Sequence, residues 1–266
     1  MNILTVIKGM IVGGTMLVPG VSGGSMAMIL GIYDKVVKAV SSFAKDKKGN
    51  AILLALFAFG GMIGMILFAG PVLRLIERFP TPMMYFFMGA VLGSVPLILG
   101  KAEVKKPELK AVMFFLIGLA IVMLFTFIPE GGMQLELENG FKSVLLLMLA
   151  GFVAAVALVL PGISVSYLLL LMGLYQETME AVSSLYFPFL IPLGVGVIAG
   201  VILTTRILEQ AMTNKPQATY LIILGFIIGS VIEIFPGLPR INEIVISIIT
   251  FVMGYGIISY LAKREK

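Results

Sequence analysis

Long apolar runs separated by short charged stretches constrain the fold of this chain more than any other feature. A helix needs about 20 apolar residues to cross the hydrocarbon core of a bilayer. Six runs approach or exceed that length and are predicted to form transmembrane helices: residues 51–73, 83–100, 111–128, 188–205, 219–235 and 244–262. Because 59% of the residues are hydrophobic and only 12% are charged, no soluble core could bury these runs. The sequence therefore predicts an all-α polytopic membrane protein.

Two further apolar runs are interrupted near their middles by a Pro-Gly pair. Residues 3–33 contain Pro19-Gly20, and residues 143–175 contain Pro161-Gly162. Proline removes a helical hydrogen bond and glycine frees the backbone, so each run is expected to form two short helical arms joined at a break. Neither arm is expected to span a bilayer alone. Each run is then either a broken transmembrane helix or a re-entrant hairpin that returns to the side from which it entered.

The distribution of basic residues favours the re-entrant hairpin. Lys and Arg collect in cytoplasmic loops. With both hairpins re-entrant and the N-terminus in the cytoplasm, 15 of the 19 basic residues lie inside, and the four outside are Arg74, Arg78, Lys142 and Arg240. If residues 3–33 crossed instead, the lysines between residues 35 and 48 would be exported. The pattern predicts a multi-pass membrane protein with both termini in the cytoplasm.

An internal repeat relates the two halves of the chain. A shift of 142 aligns Pro19-Gly20 with Pro161-Gly162 and gives nine identities over the 26 ungapped positions 17–42. The first repeat is predicted to span residues 1–128 and the second residues 143–266. Each contains one re-entrant hairpin, at 3–33 or 143–175, and three transmembrane helices. Because three is odd, the second half must enter the membrane from the opposite face, which gives an inverted-topology repeat.

Four pairs of glycines are spaced by four residues in the predicted helices. They are Gly60/Gly64, Gly89/Gly93, Gly196/Gly200 and Gly225/Gly229, and a shift of 136 aligns the first two pairs with the last two. Such small-xxx-small pairs lie on one helix face and allow two helices to approach closely. We expect these pairs to mark helix-packing surfaces.

The two breaks are the candidate phosphate-binding site. A helix that begins after a glycine-rich turn presents unpaired N–H groups and the positive end of its dipole, and serine hydroxyls add further donors. The alternative is a packed kink whose hydroxyls satisfy freed backbone groups. The candidate phosphate-binding residues are Gly20, Val21, Ser22, Gly23, Gly24, Ser25, Gly162, Ser164, Val165 and Ser166.

Charged residues near the membrane boundaries form a second group. Arg74 with Glu77 and Arg206 with Glu209 are aligned by a shift of 132, and each pair lies three residues apart on one helix face. One interpretation is an interfacial salt pair with no function. The other is that Arg74 and Arg206 are head-group arginines, one at each face of the membrane. The candidate carboxylates for coupling to H⁺ or Na⁺ are Glu77, Glu209, Glu177 and Glu233.

The composition narrows the chemistry further. The chain has no His and no Cys, which removes imidazole acid–base catalysis, thiolate nucleophiles and the usual zinc ligands. A net charge of +5 is modest and gives no reason to expect nucleic acid as a partner. We expect no enzyme activity, no metal site and no cofactor beyond a coupling ion.

Two motifs resemble those of the DUF368 family. They are Pro-Gly-Val-Ser-Gly-Gly-Ser at 19–25, followed by Gly31 and Tyr33, and Pro-Gly-Ile-Ser at 161–164, followed by Gly173 and Tyr175. The resemblance covers nearly the whole chain. It implies a bacterial inner-membrane transporter that flips undecaprenyl phosphate, or another polyprenyl phosphate, from the outer to the inner leaflet for reuse in cell-wall synthesis. The lipid and the membrane are then its expected partners, and alternating access its expected mechanism.

Three other functions remain open at this level. An inverted repeat also suits a secondary transporter of a small anionic solute. A phosphatase acting on polyprenyl pyrophosphate and a non-catalytic scaffold for wall-synthesis enzymes are further alternatives. The absence of His disfavours the phosphatase, because the usual phosphohistidine nucleophile is missing.

Overall fold

A computed structural model describes residues 2–16, 22–104, 109–126, 128 and 140–264. Within these ranges the regular structure is entirely helical, which confirms the all-α prediction. The helices of the first half are α1 (Asn2–Thr15), α2 (Gly23–Ile29), α3 (Tyr33–Ser41), α4 (Lys47–Arg78), α5 (Pro80–Gly93), α6 (Val95–Lys101) and α7 (Leu109–Thr126).

The second half runs through a similar order of long and short helices. Its helices are α8 (Phe141–Val159), α9 (Val165–Leu171), α10 (Tyr175–Ser183), α11 (Phe187–Asn214), α12 (Pro216–Glu233) and α13 (Ile244–Arg264). In both halves a helix of seven residues and one of nine residues follow the predicted break, and a long helix comes next.

Five helical segments of the described chain are long and apolar enough to cross a membrane. They are Lys47–Phe68, Pro80–Lys101, Phe141–Val159, Phe187–Asn214 and Ile241–Lys263. Four of them coincide with the predicted spans at 51–73, 83–100, 188–205 and 244–262. The predicted spans at 111–128 and 219–235 correspond to α7 and α12, whose apolar stretches are shorter than 18 residues. The chain is therefore a multi-pass membrane protein.

The helical runs end where the sequence predicted breaks. Helix α1 ends at Thr15 and α2 begins at Gly23, although Pro19 and Gly20 lie outside the described residues. Helix α8 ends at Val159, two residues before Pro161. At 19 residues α8 is long enough to cross a membrane, so the prediction that neither arm could span alone is wrong for this arm. The reason is that Pro161 stands at the end of a full-length helix and does not divide the run equally.

Four helix pairs dominate the packing. Helix α1 packs along α4, and α8 along α11, within their own halves. The other two pairs connect the halves, since α5 packs along α13 and α12 along α7. The two halves are therefore held together by contacts of α5 and α7 in the first half with α13 and α12 in the second.

The predicted glycine pairs lie at these four crossings. A Cβ atom on Gly60 of α4 would lie 2.2 Å from the carbonyl oxygen of Val6 in α1, and one on Gly196 of α11 would lie 2.0 Å from that of Met148 in α8. Gly89 and Gly225 meet the backbones of α13 and α7 in the same way. These distances leave no room for a side chain, which confirms the packing role expected of the pairs.

The first short helix lies at the centre of the molecule. Residues 24 to 29 of α2 are all buried, and Met28 is fully enclosed. Ile98 of α6 and Ile227 of α12 are equally enclosed and belong to the same apolar cluster. The segment after the first break is therefore held inside the helix bundle.

Replacing Gly196 by Ala tests the packing of α11 on α8. The added methyl group would meet the Met148 carbonyl oxygen, so we expect Gly196→Ala to lower the free energy of unfolding by about 1–3 kcal/mol. Gly194→Ala in the same helix is the control, because a Cβ atom there has no neighbour within 4 Å. Thermal unfolding in detergent measures both. Equal melting temperatures for the two variants would contradict this packing.

Candidate functional site

The start of α2, which follows the first break in sequence, lies against the second break inside the bundle. A Cβ atom on Gly24 would lie 3.3 Å from the Cα atom of Pro161, so α2 begins next to the second break. Gly162 has φ +85°, and a Cβ atom on it would lie 2.5 Å from the carbonyl oxygen of Phe226 in α12. A larger residue would be strained in conformation and would also clash. The second break is thus wedged between α2 and α12.

A hydrogen bond joins the halves at this point. The buried hydroxyl of Tyr33 in α3 donates to the carbonyl oxygen of Val159, at 2.7 Å. Val159 is the last residue of α8, where carbonyl groups lack partners within the helix. Tyr33 therefore supplies a hydrogen-bond donor to a carbonyl group at the end of α8, the helix that leads into the second break.

The candidate hydroxyls have different surroundings. Ser25 is buried, and its hydroxyl has no hydrogen-bond partner among the described residues. Ser22 precedes α2 and is half-buried, without capping the helix through its side chain. Ser164 precedes α9 and accepts a hydrogen bond from the Tyr167 N–H at 3.3 Å, whereas Ser166 is exposed.

The remaining candidates of the breaks are backbone positions. Gly23 and Gly24 form the first turn of α2, whose leading N–H groups have no acceptor within the helix. Val165 begins α9 and is half-buried. Gly20 and Val21 lie outside the described residues.

A small cavity reaches the start of α2. It has a volume of about 240 Å³ and is mainly apolar, and Gly23, Gly24 and Thr205 are among its lining residues. A larger cavity of about 830 Å³ adjoins it, since Val40 lines both. Together they extend from the start of α2, between α3 and α11, toward the ends of those two helices.

The larger cavity has a polar lining. Its walls include the hydroxyls of Ser41 and Ser42, the cations Lys45 and Arg206, and the carboxylate of Glu209. Lys45 follows α3, and Lys215 follows α11 directly, so lysines cluster at this end of the molecule. We call it the basic end.

A third cavity lies on the other side of α1. It has a volume of about 460 Å³ and lies between α1, α4, α5 and α13. Its lining is apolar and rich in flexible or aromatic side chains, among them Phe68, Met83, Phe86 and Met253. Such surfaces suit a long hydrocarbon chain.

The salt pair of Arg206 with Glu209, one of the two interpretations of these charges, does not form. Glu209 Oε2 instead accepts hydrogen bonds from the hydroxyls of Ser41 and, at 3.2 Å, Ser42, and Oε1 accepts a longer one from Ser42 at 3.5 Å. No ion-pair or hydrogen-bond partner of the Arg206 guanidinium is found among the described residues, and its side chain is exposed. Glu209 therefore connects α11 to α3, and Arg206 stays available.

The other charged candidates are further from any cavity lining. Arg74 is exposed and donates from Nε to the Gly70 carbonyl oxygen at 3.2 Å, so it forms no salt pair with Glu77 in the described structure. Glu77 and Glu177 are exposed on α4 and α10. The side chain of Glu233 is outside the described part of the chain. Of the three candidate carboxylates with described side chains, Glu209 is the one that lines any of these three cavities.

One charged cluster was missed by the sequence interpretation. Asp34, at the start of α3, forms an ion pair with Lys101 at the end of α6, and the Lys101 ammonium lies 5.6 Å from the ring centre of Tyr220 in α12. Asp34 aligns with Gln176 in the repeat, so a search for charges at equivalent positions passes over it. Its position directly after the Gly31-x-Tyr33 motif is the signal that could have revealed it.

Comparisons with known proteins show which family the chain matches. The family model described as VCA0040-like, undecaprenyl phosphate translocase-like, matches residues 12–251. A curated polyprenyl-phosphate transporter of Staphylococcus aureus (strain NCTC 8325 / PS 47) is 32% identical over 268 residues, covering 95% of this chain and 93% of the relative. One of Vibrio cholerae serotype O1 (strain ATCC 39315 / El Tor Inaba N16961) is 30% identical over 251 residues, covering 89% and 79%. No solved structure matches.

Removing the Tyr33 hydroxyl tests the bond between the halves. Tyr33→Phe would leave the buried Val159 carbonyl without this partner, and we expect a loss of about 1 kcal/mol in the free energy of unfolding. Tyr175→Phe is the matched control, since Tyr175 aligns with Tyr33 and its hydroxyl makes no hydrogen bond to the described residues. Thermal unfolding compares the two. An equal shift in both variants would show that the bond does not contribute.

Proposed function

We propose a transport function for this chain, which belongs to the VCA0040-like, undecaprenyl phosphate translocase-like family. The protein moves a polyprenyl phosphate from the outer to the inner leaflet of the bacterial cytoplasmic membrane. This movement recycles the lipid carrier of cell-wall synthesis. The observation that carries this proposal is the packing of α2 on the second break, where Gly24 lies against Pro161 beside a cavity. Both curated relatives bear the name polyprenyl-phosphate transporter.

The substrate poses a specific physical problem. A phosphate head is costly to place in hydrocarbon unless hydrogen bonds and positive charge replace its water. In the proposed site the head is held by the leading N–H groups of α2, the unpartnered hydroxyl of Ser25, and the turn from Gly162 to Ser166. The polyprenyl tail needs no such shelter and stays in lipid or in the apolar cavity lined by Phe68 and Met83.

Alternating access between two inverted repeats is the proposed mechanism. The repeats comprise residues 1–128 and 143–266, each with one re-entrant hairpin. An asymmetry in packing supports it: α3 packs on α11 at the basic end, whereas its counterpart α10 makes no comparable contact with α4 among the described residues. In a carrier with two inverted repeats, one of two equivalent interfaces is closed and the other open in any one conformation. The closed interface here is that of α3 with α11. The basic end faces the cytoplasm in this proposal.

Charge movement supplies a coupling energy. Moving one elementary charge across the membrane potential changes the free energy by about 2.3 kcal/mol per 100 mV. Glu209 is the favoured carboxylate for a coupled H⁺ or Na⁺, because it lies in a cavity wall and connects α3 with α11. Arg206 and Arg74 are proposed to meet the phosphate at opposite ends of the path. No step in this proposal breaks a covalent bond.

A small anionic solute is the second candidate substrate. The cavity at the basic end is polar and holds about 830 Å³, which is large enough for a soluble organic anion. Purified protein separates the two substrates. Polyprenyl phosphate retained in stoichiometric amount supports lipid transport, whereas its absence together with uptake of a soluble anion supports the alternative.

Hydroxyl removal at the breaks tests the head-group site. We expect Ser22→Ala with Ser25→Ala, and separately Ser164→Ala with Ser166→Ala, to slow transport of labelled undecaprenyl phosphate in liposomes at least tenfold, because hydrogen bonds to a charged group contribute about 1.5–3 kcal/mol. The control is Ser183→Ala with Ser184→Ala, whose hydroxyls donate to the Glu180 carbonyl oxygen in α10. Normal rates in both test variants would rule out these hydroxyls as head-group ligands.

Cysteine labelling tests the orientation, because the chain has no native Cys. Lys47→Cys at the basic end is expected to be protected from an impermeant maleimide in intact cells. Leu238→Cys, which is 89% exposed before α13, is expected to react. Both positions should react after the membrane is permeabilised. The reverse pattern in intact cells would invert the proposed topology.

A further inference from the structure

We propose that the large cavity at the basic end is a second binding site for a phosphate monoester, distinct from the two breaks. Its ligands are Arg206, Lys45 and the hydroxyls of Ser41 and Ser42. Glu209 holds the two hydroxyls until the phosphate displaces its carboxylate. This inference rests on the proposed function only for the origin of the phosphate, which is the head of the carrier lipid about to leave on the cytoplasmic side.

The shape and contents of the cavity suit such a ligand. A volume of about 830 Å³ exceeds what one phosphate needs and accommodates the first prenyl units as well. Leu54 and Ile202 add apolar wall beside the polar groups. The cavity also adjoins the smaller one at Val40, so the site lies at the end of a path that starts at the first turn of α2.

The charges in the cavity favour an anion. Lys45 and Arg206 are cations, and Glu209 is the one carboxylate among the lining residues, which leaves a net charge of +1. The Arg206 guanidinium has no partner in the described part of the chain, and its planar fork matches two phosphate oxygens. A lysine supplies a second, more flexible charge.

The contact of Glu209 with the serines indicates where the oxyanion binds. A carboxylate already accepts hydrogen bonds from Ser41 and Ser42, so these hydroxyls are oriented for negatively charged oxygen. A phosphate can replace the carboxylate there and gain charge-assisted contacts with Arg206 that Glu209 does not make. Like charges at this distance repel, so the carboxylate must move away or take up a proton when the phosphate binds.

Displacement of Glu209 has a mechanical consequence. Ser41 and Ser42 end α3, and Glu209 lies on α11, so these hydrogen bonds help to hold α3 against α11. Arrival of the phosphate breaks them and loosens the interface. The aligned serines of the second half, Ser183 and Ser184, bond instead to the Glu180 carbonyl oxygen of their own helix. Ser41 also reaches the Lys38 carbonyl oxygen of its own helix, at 3.2 Å, but within the described residues a carboxylate contact is added at the basic end and not at the aligned serines.

Binding of farnesyl phosphate to the purified full-length protein tests the site. Isothermal titration is carried out in detergent with farnesyl phosphate, inorganic phosphate and farnesol. We expect Arg206→Gln to weaken farnesyl phosphate binding about tenfold or more. Lys48→Gln removes a nearby exposed charge outside the cavity and should leave binding unchanged. Thermal unfolding checks that both proteins are folded. Equal affinities of the folded wild type and Arg206→Gln for farnesyl phosphate would overturn the inference.

Glu209→Gln tests the displacement step. Loss of the negative charge removes the competition, so farnesyl phosphate should bind several-fold more tightly, and weaker binding would refute the role of Glu209. If inorganic phosphate binds as tightly as farnesyl phosphate, the site recognises the phosphate group alone. If farnesyl phosphate binds more tightly, the site also contacts the prenyl tail. Farnesol binding as tightly as farnesyl phosphate would contradict a phosphate site.

Transport assays with the same proteins separate this inference from the proposed function. If the wild type transports undecaprenyl phosphate in liposomes but Arg206→Gln binds and transports equally well, the second site is wrong and lipid transport stands. If the wild type binds farnesyl phosphate through Arg206 but moves no lipid, the site stands and the transport proposal fails.

Discussion

Direct contact between helix backbones is the interaction on which the rest of this structure depends. Hydrocarbon provides no hydrophobic driving force between helices, so close packing and interhelical polar contacts must hold them together. Glycines at the four main crossings allow carbonyl groups of one helix to approach the Cα atoms of the next, as Gly60 and Gly196 do. Two of these crossings join the halves, and Gly24 of the first half also lies against Pro161 of the second. The position of the candidate site follows from these contacts.

The chemistry of the candidate site is limited to groups that bind anions without reacting with them. The chain has no imidazole and no thiol. The buried polar groups at the start of α2 are backbone N–H groups and the hydroxyl of Ser25, and the cavity at the basic end carries Arg206 and Lys45. These groups can replace the water around a phosphate at several points along a path. A carrier needs such moderate and repeated binding, because one very stable site would retain the substrate.

Contacts at the basic end differ in kind from those at the crossings. Glycine crossings are rigid, since no side chain can rearrange there. The contacts of α3 with α11 through Glu209, and of Asp34 with Lys101, are made by long polar side chains that can exchange partners. A molecule with rigid helix pairs and exchangeable polar contacts between them can change conformation without losing its fold. The polar contacts are therefore the natural places for substrate or ion to act.

The sequence alone determined the helical class, most of the span boundaries, the glycine surfaces and the second break, because hydrophobic length, Gly spacing and Pro-Gly pairs act locally along the chain. It did not determine which helices pair, or that α8 is long enough to cross unaided. It also predicted local salt pairs, such as Arg206 with Glu209, where the carboxylate in fact reaches across to Ser41 and Ser42. Asp34 with Lys101 was missed for the same reason. Partners distant in the chain are chosen by the packing of whole helices, and only the tertiary structure contains that information.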